Sequence, residues 1–315
     1  NAENDAFIRL ASLVRDRTQP SIARATAAEH LSSFGQAGVS ALRSGLLSKQ
    51  PLVQAYSAAA FSGAPLDDSL GLLSSLTSDE QPRAVRDQAI RATASVPLDR
   101  FAAGDRERIN ELRKDYEDRL EALSALPGSR FGLATYLHRM GRYTEAMTHY
   151  QAALQLDPTF APARTNLATL ASEQGNVELA QQTLEAGVAL ETAPDSDRGH
   201  LAYLLALVLV EQGQPVEALP RFEQATRLAP GNPRAAYNHG LVLANLGRLQ
   251  EARTVLGEAL ALHSQDYGLL NAMVYVLIES NQLEDALVRA RILADLFPQD
   301  QNARGLVRRL EAQLR

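Results

Sequence analysis

The sequence predicts an all-α chain, an α-solenoid wound as a superhelix from helix–turn–helix repeats. Three observations predict it. A Gly or Asn marker returns about every 34 residues through the C-terminal half, Gln-Pro pairs return every 31 residues near the N-terminus, and the 45% hydrophobic share is carried by Ala and Leu, with 5% aromatics and no Trp. Ala and Leu are the apolar side chains that close helix–helix contacts use most readily, and fixed periods of this length belong to arrays of stacked helix pairs.

In the first region, residues 1–98, Gln19-Pro20, Gln50-Pro51 and Gln81-Pro82 each open an Ala-rich helix, with Ala27, Ala58 and Ala89 seven residues after the prolines. Proline suits a first helical turn because the amide hydrogen it lacks would be unpaired there. Val39–Leu47 and Leu66–Leu76 are amphipathic at helical spacing and fill the intervals. The Pro51-Leu52-Val53 phrase, and Ala84-Val85-Arg86 after Pro82, resemble HEAT repeats.

Residues 99–126 read as a join. Asp105–Leu126 places Ile109, Leu112, Tyr116, Leu120 and Leu123 at helical spacing, predicting one longer, rigid helix. Its Glu107, Glu111, Asp115 and Asp118 interleave with Arg106, Arg108, Arg113 and Arg119, the pattern of a solvated face laced with weak ion pairs.

Residues 127–300 hold the 34-residue beat. The markers are Gly141, Gly175, Gly213, Gly247 and Asn281, with Ala146, Ala180, Ala218, Ala252 and Ala286 five residues after them. A residue tolerant of positive φ ends each first helix, and the small Ala lets the second approach closely. Tyr150, Leu184, Phe222 and Leu256 follow four residues later, with Ala290 the exception. Pro158, Pro230 and Pro298 stop second helices, as a residue without an amide hydrogen must. The units are 127–160, 161–194, 199–232, 233–266 and 267–300, the longer second step being assigned to a loop over Ala193–Arg198. Ala303, Leu306, Val307, Leu310 and Leu314 give 301–315 one apolar face, that of a capping helix.

The phrase from Gly141 through Tyr143, Ala146, Tyr150, Ala153 and Pro158 resembles the tetratricopeptide repeat. The resemblance implies a groove lined by the first helix of each pair. Carried onto this sequence, its inward positions are Thr135 and Arg139, then Thr165, Asn166 and Thr169, then Tyr203 and Leu207. The fourth and fifth units supply Arg234, Tyr237, Asn238, Leu241 and Asn245, and Asn271 and Tyr275. A mixture of Tyr and Asn suits a peptide-binding surface; some of these rings could equally pack between helices. The Lys and Arg clamp that grips chaperone tails is not matched, since only Asn166 stands where that pattern has it.

Composition narrows the function. A net charge of −6 gives no electrostatic footprint for nucleic acid. Lys occurs only at Lys49 and Lys114; a biased genome explains the Arg-rich balance first, fixed bidentate pairing second. With no Cys, disulfides, thiolate metal sites and C-x-x-C-H haem attachment are excluded within the chain. The apolar run Leu201–Val210 is far shorter than the roughly 20 residues of a membrane span, so no membrane insertion is expected. No phosphate loop, nucleophile elbow, H-E-x-x-H pair or dinucleotide fingerprint is present, and the six His residues never pair at i, i+4. Asp195 and Asp197 with Gly199 lack the further ligands of an EF-hand. No cofactor or metal is expected, nor an enzyme. The start at Asn1, without Met or leader, suggests a processed form or a piece of something longer.

The order of these regions, HEAT-like helices, a charged joining helix, then tetratricopeptide units with phrases like Tyr150 to Pro158, resembles the C-terminal half of bacterial multihaem c-type cytochromes, without their haem motifs. That resemblance implies a periplasmic or extracellular protein and a multihaem cytochrome partner. The expectation is a non-catalytic scaffold for protein–protein interaction, presenting a groove to a protein or peptide partner. The alternative is a structural protein that self-assembles into a homo-oligomer or filament through solenoid contacts.

Overall fold

The computed structural model describes residues 2–63 and 66–315, so Asn1, Ala64 and Pro65 of the 1–98 region lie outside the described residues. Among the described residues the regular structure is helical throughout. The order is α1 (Ala2–Arg15), α2 (Ser21–Leu31), α3 (Val39–Leu46), α4 (Pro51–Ala60), α5 (Leu70–Ser75), α6 (Arg83–Ala92), α7 (Arg106–Ala122), α8 (Pro127–Arg139) and α9 (Tyr143–Leu156). It continues with α10 (Ala161–Glu173), α11 (Val177–Val188), α12 (Asp195–Glu211), α13 (Pro215–Leu228), α14 (Pro233–Asn245), α15 (Leu249–Leu262), α16 (Tyr267–Glu279), α17 (Leu283–Leu296) and α18 (Gln301–Gln313). The chain divides into two compact units, Asn1–Leu156 and Asp157–Arg315, so the α8–α9 pair belongs with the N-terminal helices.

In unit 1, Pro51 opens α4 from its first turn, while Pro20 and Pro82 stand one residue ahead of α2 and α6 with extended ψ. Ala27, Ala58 and Ala89 are all buried, and they share a core with Val14, Leu31, Leu42 and Leu73. The helix expected over Leu66–Leu76 is shorter, a single 3₁₀ turn followed by the six residues of α5. Sequence reading passed over α1, which buries Ala11 and Val14 in that core.

The joining helix also differs from expectation. α7 ends at Ala122 rather than Leu126, and its arginines reach neighbouring backbone and carboxylates. Arg113, only 7% exposed, donates from Nη2 to the carbonyls of Thr93 and Val96 at 2.5 and 2.8 Å, and its guanidinium lies over the Phe101 ring. Arg119 pairs with Asp87 as well as Asp115, and Arg142 from the α8–α9 turn pairs with Glu117. These side chains tie α7 to α6 and α8, work that a merely solvated face would not do.

Unit 2 repeats one hairpin. Gly175, Gly213, Gly247 and Asn281 all adopt positive φ, as Gly141 does in unit 1. In every case the marker amide donates three residues back and the next amide five residues back, as Gly213 to Val210 and Gln214 to Leu209 at 2.9 Å each. This pair of bonds closes the last carbonyls of the first helix and reverses the chain. The Ala five residues on is fully buried in all five pairs. Asn281 is the one non-Gly marker; its short polar side chain is among the few that tolerate the left-handed region. α18 buries Ala303 and Leu310 on the α16–α17 core.

The segment 195–198 is corrected from loop to helix. α12 begins at Asp195, and the four extra residues form its first turn, giving 17 residues where the other first helices of the unit have 13. Pro194 leads in with extended ψ, Asp195 and Asp197 sit at the positive end of the helix dipole, and the amides of Asp197 and Arg198 donate to the Pro194 carbonyl. Arg198 Nε donates to the Val188 carbonyl at the end of α11, anchoring the added turn. At Gly199 the lengthened helix passes close to α13: a Cβ would lie 2.7 Å from Ala229 Cβ and 3.0 Å from the Ala229 backbone nitrogen. Gly199→Ala is expected to destabilise the protein by about 1–3 kcal/mol, because backbone must move to admit the methyl; a urea midpoint equal to that of the unaltered protein would show that α12 and α13 separate at no cost.

Candidate functional site

The first helices of unit 2 present the residues that the tetratricopeptide resemblance singled out. On α14, Arg234, Tyr237, Asn238, Leu241 and Asn245 recur at three- and four-residue steps and so share one face. Tyr203 and Leu207 stand four apart on α12, Asn271 and Tyr275 four apart on α16, and Thr165, Asn166 and Thr169 lie together on α10.

Their environments differ. Arg234, Asn245, Asn271 and Thr169 are exposed, and Tyr275 is 40% exposed. Asn166, Tyr203, Tyr237 and Asn238 are half-buried. Tyr203, Leu207, Tyr237 and Leu241 lean on the core, the Tyr203 ring lying 6.3 Å from that of Phe222. Asn238 Nδ2 donates to Tyr203 Oη at 3.0 Å, which joins α12 to α14 and fixes both polar tips on the half-buried face. Tyr203 and Tyr237 therefore serve packing and surface at once, whereas Tyr275 is chiefly surface.

Arg139 and Thr135 stand apart from this set, on α8 of unit 1. Thr135 donates to the Phe131 carbonyl and accepts from Tyr150 Oη at 3.4 Å, a structural bond. Arg139 lines a cleft of about 650 Å³ with residues of α2, α4 and α6, among them Tyr56 and Arg91. Sequence reading missed that cleft, although a signal existed: Glu29, Ala60 and Arg91, each nine residues after a Gln-Pro proline, all line it.

His239 was also missed as anything but an ordinary His. It is 7% exposed, its ring stacks on Phe222 with centroids 6.1 Å apart, and its Nδ1 has no partner. Burial pushes its pKa below the usual imidazole range; Glu223 and Glu251 oppose that shift and Arg248 adds to it. Among the described residues, no group of three or more His, Cys, Asp or Glu could hold a metal ion, and no helix is long and apolar enough to cross a membrane.

Fold and faces together define a helix-hairpin repeat protein. Two tetratricopeptide-repeat family models match it, over residues 137–207 and 203–267, and the chain carries tetratricopeptide repeats there. No curated protein matches the chain. Among solved structures it is similar to YrrB, a TPR protein with an unusual peptide-binding site, at 22% identity and TM-score 0.46 over 60% of this chain and 95% of that one. MamA is similar at 15% identity and TM-score 0.45, over 54% and 91%. PilW, a type IV pilus biogenesis factor, is similar at 21% identity and TM-score 0.43, over 60% and 91%.

The buried imidazole sets a pH dependence. With its folded pKa below the unfolded value, the unfolded state binds the proton more readily, so stability present above the ordinary imidazole pKa is lost as pH falls through the folded one. The urea midpoint of the intact protein is expected to fall more steeply between about pH 7 and pH 5 than that of His239→Leu. Parallel pH profiles would remove His239 as a source of the slope.

Proposed function

We propose that the protein is a non-catalytic scaffold that receives an extended segment of a protein partner on the first-helix faces of α10, α12, α14 and α16. The observation that carries this reading is the Tyr203–Asn238 bond at 3.0 Å amid Tyr237, Asn245, Asn271 and Tyr275, which sets amphipathic rings beside amides at partly open positions. Tyrosine supplies contact area at small entropic cost, asparagine pairs with extended backbone, and side chains already held lose less freedom on binding. Tetratricopeptide repeats over 137–267 support a partner that is a protein or peptide.

The finer reading, a multihaem cytochrome as partner and a periplasmic or extracellular location, rests on the resemblance in the order of regions. Self-assembly end to end is the weaker alternative: α18 covers α17 and leaves Arg304, Arg308 and Arg309 exposed, a charged surface ill suited to stacking against a copy of itself.

The test is affinity capture from the source cells with the intact chain and with Asn245→Ala/Tyr275→Ala, two exposed positions whose loss spares the core. A partner retained by the intact chain and lost by the double variant, with unchanged melting, is the expected result, and a Soret band in the eluate would identify a haem protein. Equal capture by both forms would dismiss the face.

A further inference from the structure

The unit 1 cleft poses a different problem of charge. Its walls come from α2, α4, α6 and α8, and its volume of about 650 Å³ is that of a ligand site rather than a packing fault. Leu52 and Tyr56 of α4, each 37% exposed, give it an apolar side. Arg91 and Arg139 give it two guanidinium groups. Arg91 donates to Gln88 Oε1 at 3.0 Å, and Arg139 Nη1 is buried with no hydrogen-bond partner. Among the described residues neither is in an ion pair, and burial first, then the neighbouring Arg91 charge, pushes the Arg139 pKa below the usual guanidinium range. Glu29, on the rim, is exposed.

Among the described residues Arg86 Nε and Arg113 Nε are likewise buried without a partner, but those guanidinium groups bond through their other nitrogens, as the buried Arg24 and Arg164 do. Arg24 donates twice to the Val14 carbonyl, Arg164 to the carbonyls of Thr183 and Pro158, and Arg113 to those of Thr93 and Val96. A guanidinium stays charged at any ordinary pH, so Arg139 cannot relieve its position by losing a proton. A buried donor with no acceptor calls for an explanation, and two guanidinium groups lining one cleft give it the chemistry of a site for a negatively charged ligand.

We infer that this cleft receives a carboxylate side chain of an acidic, amphipathic peptide, held by Arg91 and Arg139, with the peptide's neighbouring apolar side chain against Leu52 and Tyr56. The apolar side selects against a free inorganic anion. The balance of unit 1, eighteen acidic against eighteen basic residues, offers no extended field for a polyanion, so recognition is of one or two charges at short range. The inference rests on the scaffold reading but uses a different unit and different residues.

The experiment measures anisotropy of a labelled peptide of alternating leucine and glutamate on the full chain. The matched leucine–glutamine peptide is the neutral control and inorganic phosphate the competing small anion. The glutamate peptide is expected to bind on the order of tenfold or more tightly than its neutral match, and to lose that margin with Arg91→Gln or Arg139→Gln but not with Asn245→Ala/Tyr275→Ala. Arg139→Gln should also raise the melting temperature of the free protein, since it removes a half-buried charge that no carboxylate compensates; a residue kept only for structure would lower it. Should that variant fail to fold, Arg91→Gln on α6 carries the comparison. Equal affinity for the two peptides would overturn the assignment, as would displacement of a bound anion by phosphate with no peptide binding. Binding lost only in the Asn245/Tyr275 variant would overturn it too, while leaving the unit 2 face intact.

Discussion

Each hairpin from α8 to α17 depends on a backbone constraint of two residues. A marker in the left-handed region lets the following amide reach back five residues, and the carbonyls that would end the first helix unpaired are closed by the turn itself. The buried Ala five residues after the marker then removes the side chain that would hold the two helices apart. Within unit 2 the pairing of first and second helices follows, and with it the presentation of α10, α12, α14 and α16. The candidate face follows from this arrangement: once the second helices supply the Ala and the large buried groups such as Phe222 and Leu256, the first helices are free to carry Tyr and Asn.

Arginine performs a second service that the composition only hinted at. Short connections leave helix-end carbonyls facing neighbouring helices, and a planar guanidinium on a long stem reaches two of them at once where an ammonium would offer a single point charge. Arg113 does so to the turn after α6 and Arg164 to the carbonyls of Thr183 and Pro158, while Arg24 and Arg198 each close one carbonyl, at the ends of α1 and α11. A genome biased toward arginine does not account for such placement, although it would supply the raw material. Against this background Arg139, with no carbonyl to close, is the exception that draws attention to its cleft.

The sequence made the periodic part of the fold legible because each marker, Ala and Pro is dictated by backbone geometry that recurs with the repeat. It failed where geometry is local and unrepeated. The segment 195–198 looks like a loop by composition, yet Pro194 and the two aspartates are also what starts a helix, and the Arg198 contact with Val188 that holds the added turn is not visible in the sequence. The charged run of α7 looked solvated because sequence does not say which neighbour an arginine reaches. α1 carries no proline or glycine punctuation and belongs to neither beat. For the candidate face, residue positions were legible from the repeat, but the division of Tyr203 and Tyr237 between core and surface was not, because it depends on the packing of adjacent pairs. The burial of His239 left no mark in the sequence at all.

Charge separates the two units in a way that the total conceals. Unit 1 is balanced, whereas unit 2 holds thirteen basic and nineteen acidic residues and so the entire net charge of −6. A unit with a net negative charge attracts basic segments and repels acidic ones at long range and low salt, although the candidate face itself carries the exposed Arg234. The unit 1 cleft has no such field and two arginines at close quarters, so it discriminates by contact rather than by steering. On the two proposals together, one chain selects opposite charges by different physics: long-range and salt-sensitive in unit 2, short-range and dependent on desolvated guanidinium groups in unit 1.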